Sequence, residues 1–444
     1  MPTLIPRTLI GLLLASGTAG AQQPPPVRSL GPVEHTSTEP LASVRSAVPL
    51  ADGRVYVNDI RGRRLLLFDS TLATFTVVAD TTDATANAYD RSGTLIRFRG
   101  DSALLIQYST LSMLVLGPSG TIARVMATPR PSDAVFLLGD DGGPAFDAQR
   151  RLVYYSGELF GYMMLGKDLL PPEMRARVDR NVDSGYIVRV DLATRNLDTA
   201  ATLRISRFRR SAQLDEQGNL ASIVTTPDAL PVTDGWTVSS DGTIAIVRGR
   251  DFHVDWITPD GKMTSTPKMP FEWRRVTDAE KTAAIDTAMS ALERNLTAVN
   301  APRGAGRGAG ATGRGGGASG RGGGAGSSAG AGGAPPSRGG LAPNVAKRPD
   351  ASDLPDYFPP FIPTHPNISL SDAVYADVEN NLWIRTTTMV NGQPVYDVVN
   401  RRGVLIDRLQ LPPFRAIAGF GPHVVYLSVQ DKAGVVHLER ARIK

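Results

Sequence analysis

One pattern constrains this chain more than any other: a turn followed by two β-rich runs, repeated along the whole sequence. The first runs open at Asp52-Gly53, Asp101, Gln149, Asp241-Gly242, Asn380-Asn381 and Gly421-Pro422. Each has a partner run shortly after it, at Leu65–Phe68, Met113–Leu116, Tyr186–Val190, Phe252–Ile257, Val395–Val399 and Val435–Leu438. Five partners lead through Gly-, Asn- or Asp-bearing turns to a third run: Phe75–Val78, Thr121–Met126, Leu197–Ile205, Lys262–Met269 and Val404–Leu411. Such turn residues tolerate positive φ and close hairpins. Alternation of β-branched and aromatic residues with polar ones marks half-buried strands.

An inner strand ahead of each first run completes a unit of four antiparallel strands. The turns at Asp52, Asp101 and Gln149 are 49 and 48 residues apart, and those at Asn380 and Gly421 are 41 apart. Units of this length stacked radially are propeller blades. The expected fold is therefore all-β: a six-bladed β-propeller of four-stranded antiparallel blades. A further turn at Glu216-Gln217-Gly218-Asn219 keeps seven blades as the alternative. It lies only 24 residues before Asp241, too close for a full blade, and reads as part of an insertion. The last blade runs out of chain before its outer strand. Val27–Glu34 is expected to supply that strand beside Val435–Ile443 and so cover an open edge.

With these six units the chain resembles the six-bladed β-propellers of exported bacterial proteins, broadly the NHL-repeat and strictosidine-synthase-like group. The resemblance spans Val27–Lys444 less the insertions and rests on the turn-and-strand motifs quoted above. It implies the fold; members of that group include lactonases, lyases and binding modules. The metal-binding lactonases use acidic and Asn ligands around the central channel. No such set maps onto this sequence, so no ligand is carried over.

The organisation follows from composition. Residues 1–21 carry Arg7, the apolar run Leu9–Ala15 and an Ala19-Gly20-Ala21 cleavage site, which is the pattern of a signal peptide cut after Ala21. The apolar run is short of the ~20 residues a membrane span needs, so a secreted or periplasmic address is expected. Residues 22–270 hold blades one to four, with an insertion at 157–185. Residues 271–300 form a helical insertion. Thr277 and Glu280 make a capping box, and Ile285, Met289, Leu292 and Leu296 share one face. Residues 301–349 read as a disordered Gly/Ala/Arg-rich linker. Residues 350–367 are a Pro- and aromatic-rich strap, and 368–444 hold blades five and six. Pro302–Pro349 contains 18 of the 45 glycines, seven basic residues and no acidic one. The formal charge of +5 becomes −2 without it, which argues against a basic nucleic-acid-binding fold. Its Arg-Gly-Gly steps also lack the interleaved aromatics that stack on bases.

Catalytic signatures are absent from the sequence. Cysteine is missing, which removes disulfides, thiolate metal sites and a Cys nucleophile. There is no Gly-x-Ser-x-Gly elbow and no His-Glu-x-x-His. Gly304–Gly310 lacks the Gly-Lys-Ser/Thr ending of a phosphate loop. No catalytic, cofactor or metal residues are assigned. Candidate binding residues are Asp140, Asp141, Tyr162, Asp234, Trp236, Tyr357 and His365. Strand alternation sends the insertions at 157–185, around Arg207–Asp234 and at 271–367 to one face of the ring, and long loops on a rigid scaffold commonly carry function. The expected function is a monomeric, non-catalytic binding or scaffold propeller. It would take a protein, peptide or small-molecule ligand at that face, with no nucleic-acid partner. The alternative is a hydrolase or lyase acting on a small ester, lactone or glycan, with Ca²⁺ as its metal.

Overall fold

The computed structural model describes residues 24–90, 93–138, 143–156, 184–206, 209–217, 220–300, 344–361 and 373–443. Two short strands come first, β1 (Val27–Ser29) and β2 (Val33–Thr36). Blade one is β3 (Val44–Pro49), β4 (Val55–Asp59), β5 (Arg64–Phe68) and β6 (Phe75–Ala79). Blade two is β7 (Gly93–Arg97), β8 (Ala103–Gln107), β9 (Ser112–Leu116) and β10 (Ile122–Ala127). Blade three is β11 (Ala145–Phe146), β12 (Leu152–Ser156), β13 (Ser184–Val190) and β14 (Leu197–Arg204). The hairpin β15 (Arg209–Leu214) and β16 (Leu220–Thr226) then leaves the repeat. Blade four is β17 (Gly235–Val238), β18 (Ile244–Arg248), β19 (His253–Ile257) and β20 (Met263–Ser265). Helix α1 (Asp278–Asn300) and strand β21 (Asn344–Ala346) follow. Blade five is β22 (Val374–Ala376), β23 (Leu382–Val390), β24 (Gln393–Val399) and β25 (Leu405–Gln410). Blade six contributes β26 (Arg415–Gly421), β27 (Val424–Gln430) and β28 (Val436–Arg442).

The fold is a six-bladed β-propeller, as the spacing predicts. The Gln217 turn does not start a seventh blade. It belongs to the β15–β16 hairpin, which β21 extends in parallel to a three-stranded accessory sheet. Asn344–Ala346 lies at the end of the stretch read as linker and is ordered by that pairing.

The ring closes as expected in outline and differently in detail. Strand β2 pairs antiparallel with β28 and supplies the fourth strand of blade six. Strand β1 instead pairs parallel with β25 and adds a fifth strand to blade five. Gly31-Pro32 separates the two, so one segment covers two adjacent edges. At Gly31 an added Cβ would sit 2.3 Å from the Arg442 carbonyl oxygen, so only glycine lets the chain pass that close. Ion pairs pin both strands: Arg28 with Asp407, and Glu34 with Arg442.

The apolar core lies between blades rather than at the axis. Tyr56, Leu65 and Leu67 of blade one meet Leu95, Leu105 and Leu114 of blade two. Val55, Leu66 and Phe68 on the other face meet Tyr426 and Leu438 of blade six. The same arrangement joins blades two, three and four, then four and five, then five and six. Burial of both blade faces explains why the second strands of blades one, two and three, such as Val55–Asp59, are buried at every position. Turns on one face clasp the next blade: the Arg54 guanidinium donates to the Pro118 carbonyl oxygen at 2.7 Å, and that of Arg151 to Pro259 at 2.5 Å. Arg401 of blade five pairs with Asp241 of blade four.

Helix α1 starts with the predicted capping box. The Glu280 amide donates to Thr277 Oγ1 at 3.3 Å, and the Thr277 amide to Glu280 Oε2 at 2.9 Å. Hydrogen bonds from Thr277 and Arg274 hold the Glu280 carboxyl low, at about 2. Ile285 packs with Val276, Leu230, Leu354 and Phe358, a separate small core that ties the helix to the strap.

Candidate functional site

Inner strands set the walls of the axial channel. Each ends in a tight turn, and these turns repeat: Leu50–Arg54, Asp147–Arg151, Ser239–Thr243 and Asp377–Asn381. In each the fourth residue donates its amide to the carbonyl of the first, as Gly53 does to Leu50 and Asn380 to Asp377. That geometry places the fourth residue in the left-handed region, where glycine and asparagine are the natural occupants. The face bearing these turns opens into a cavity of about 620 Å³ lined by all six blades. Its wall is mostly small and apolar, including Val48, Leu95, Ile96, Val238 and Ala418. A second cavity of about 150 Å³, sharing Ser46, Leu95, Tyr375 and Gly419 with the first, continues the channel toward Arg45 and Ile60.

Three carboxylates line the larger cavity, and each is engaged in holding a turn. Asp147 accepts from the Arg151 amide at 2.9 Å and from Arg151 Nε at 2.8 Å. Asp377 accepts from the Asn381 amide at 2.8 Å and from Trp383 Nε1 at 3.1 Å. Asp241 accepts from the Thr243 amide at 3.1 Å and from Ser239 Oγ at 2.9 Å, besides pairing with Arg401. Burial works to raise the Asp241 carboxyl, but those hydrogen bonds and the Arg401 charge outweigh it and leave it below its ordinary value. Among the described residues no group of three His, Asp or Glu side chains is placed to hold a metal ion.

The residues singled out from sequence are not brought to this cavity as a set. Asp140, Asp141, Tyr162 and His365 lie outside the described residues. Asp234 sits just before β17 and is 6% exposed. It accepts from the Arg204 amide at 2.9 Å, the Gly249 amide at 3.2 Å and the Arg248 guanidinium at 2.6 Å. These bonds stitch blade three to blade four. Trp236 lies on β17, 3% exposed in the apolar cluster shared by blades two to four. Tyr357 is half-exposed on the strap, its backbone bridged to Arg275.

Sequence reasoning missed Arg97, Arg99 and Arg150, which line the wide cavity, Arg97 toward blade one and Arg150 on the turn of blade three. One signal was present. Aligned on the repeated turn, Arg150 falls at the position held by Gly53, Gly242 and Asn380, and its φ of 66° matches theirs of 89°, 80° and 65°.

No family model matches the sequence, and no curated protein matches it. The six-bladed class is read from the strand topology, and the solved structures that match the chain are remote. The calcium-binding protein regucalcin from Agrobacterium tumefaciens is 11% identical, with 94% of this chain and 97% of that one covered and a TM-score of 0.39. Aldose sugar dehydrogenase from Streptomyces coelicolor, in its PQQ-bound form, is 11% identical over 95% and 100% of the chains, at 0.39. A catalytically inactive virginiamycin B lyase from Staphylococcus aureus, with quinupristin, is 10% identical over 94% and 99%, at 0.34. At these identities and scores none of the three bears on what this chain does. Among the described residues no helix is long and apolar enough to cross a membrane.

Proposed function

We propose that this chain is an exported propeller that binds a small ligand in its axial channel without transforming it. The observation that carries this reading is the state of the channel carboxylates. Asp147, Asp241 and Asp377 each accept hydrogen bonds from their own turn, so none is available as a general base without breaking the turn that positions it. The cavity has the size and apolar wall of a small-molecule site. Export rests on the leader at residues 1–21.

A channel-filling variant tests this. Ala376 is half-buried on the inner strand of blade five and lines the cavity. Ala376→Trp should abolish the binding of small aromatic fragments detected by saturation-transfer NMR on the wild type, and should leave the far-UV spectrum unchanged. Fragments that bind the variant equally well would refute the channel as the site. Consumption of a small ester, lactone or glycan by the wild type, lost in Ala376→Trp, would move the assignment to an enzyme.

A further inference from the structure

The channel mouth is not chemically uniform. Where blades two and three meet, Phe98 and Phe146 form an edge-to-face pair with ring centroids 5.0 Å apart. The Arg99 guanidinium lies 5.2 Å from the Phe98 centroid. Arg97, at the end of β7, donates to the Pro49 carbonyl oxygen at 3.2 Å. Arg150 comes from the turn of blade three. Among the described residues none of these three arginines has an ion-pair partner. This contrasts with the same turns' Arg54 and Arg151, which pair with Asp52 and Asp147.

Arg97 faces blade one and feels the Asp101 carboxylate, so the unpaired Arg99 and Arg150 guanidiniums are what make this sector positively charged. Low-dielectric channel walls strengthen its field. Arg150 sits at φ 66°, at the turn position that glycine or asparagine holds in blades one, four and five.

We propose that this sector is a subsite for an organic anion: a flat apolar body rests on the Phe98–Phe146 pair, and its carboxylate is held by Arg99 and Arg150. The assignment rests on the channel being a ligand site and adds the ligand's chemical class. Guanidinium forks match a carboxylate's two oxygens, and the aromatic pair supplies a face for stacking.

The test uses two probes of nearly the same shape, 2-naphthoate and 2-naphthamide, titrated calorimetrically into the wild-type protein. The account expects the carboxylate to bind at least about tenfold more tightly than the amide at low salt. That preference should shrink as salt rises from about 0.05 M to about 0.5 M. Arg150→Gly should weaken naphthoate severalfold, leave naphthamide unchanged and not lower the thermal midpoint, since glycine relaxes the turn. Arg99→Ala should weaken naphthoate likewise. Arg402→Ala removes a charge from a turn outside the channel and should change neither probe. Equal affinity for the two probes would overturn the anion subsite and leave the channel as a binding site. Failure of both probes to bind would overturn both readings. An effect of Arg402→Ala as large as that of Arg150→Gly would reduce the site to net charge.

Discussion

Replacing Asp234 with alanine tests whether that carboxylate is architecture. Its side chain is 6% exposed and anchors three donors: the Arg204 amide from blade three, and the Gly249 amide and Arg248 guanidinium from blade four. Alanine leaves two backbone amides without their acceptor, at about 1–3 kcal/mol each. Arg248 keeps Asp255, with Nε to Oδ2 at 2.7 Å, so its charge is not orphaned. The sum is about 2–6 kcal/mol. Asp234→Asn retains an acceptor for Gly249 and should cost less than half as much. Urea unfolding followed by tryptophan fluorescence reads the difference as a shift in midpoint at unchanged slope. Adding Arg248→Met to Asp234→Ala should cost less than the two single changes together, because they share one interaction. If Asp234→Ala stays within about 0.5 kcal/mol of the wild type, the stitching argument is wrong.

Other expectations follow from the same geometry. Burial raises the Asp397 carboxyl to about 6, above its ordinary 3.8, despite Arg408 Nε at 3.1 Å. The folded chain therefore holds that proton more tightly than the unfolded chain. The wild type should gain stability relative to Asp397→Asn as pH falls from 7 to 4, by up to about 3 kcal/mol; urea midpoints compared across that range would contradict this if the difference stayed flat. Deleting residues 24–36 removes β1 and β2 and bares the outer edges of blades five and six. Light scattering should show association, and a monomeric, equally stable truncation would count against the closure. Thr277→Ala removes half of the capping box and should speed amide exchange over residues 278–284, with about 1 kcal/mol of local cost and little change in the global midpoint.

Much of the fold was legible because turn chemistry repeats. Asp52-Gly53, Asp241-Gly242 and Asn380 mark positions that need a left-handed residue, and their spacing sets the blade count. The Thr277–Glu280 box was legible for a similar reason: both partners are local. The closure was half legible. The pairing of the Val27–Glu34 segment beside Val435–Ile443 was foreseeable, but the split at Gly31-Pro32 depends on how blades five and six stand side by side. The site was barely legible. The inner strands of blades three and five, Ala145–Phe146 and Val374–Ala376, are two and three residues long, too short for a period-two pattern, so their part of the channel lining had no strand signature. Asp234 and Trp236 drew notice as residue types common in sites, whereas burial and backbone donors occupy both in holding blades together.

The central claim is that ligand enters the axial channel at the turn-bearing face and is held by its arginines. A crystal structure of the protein grown with 2-naphthoate tests it most directly. The account predicts the naphthalene ring against Phe98 and Phe146, with the carboxylate within hydrogen-bonding distance of Arg99 and Arg150. Naphthoate bound instead at the face carrying the accessory sheet and helix α1, with the channel holding only water, would contradict it.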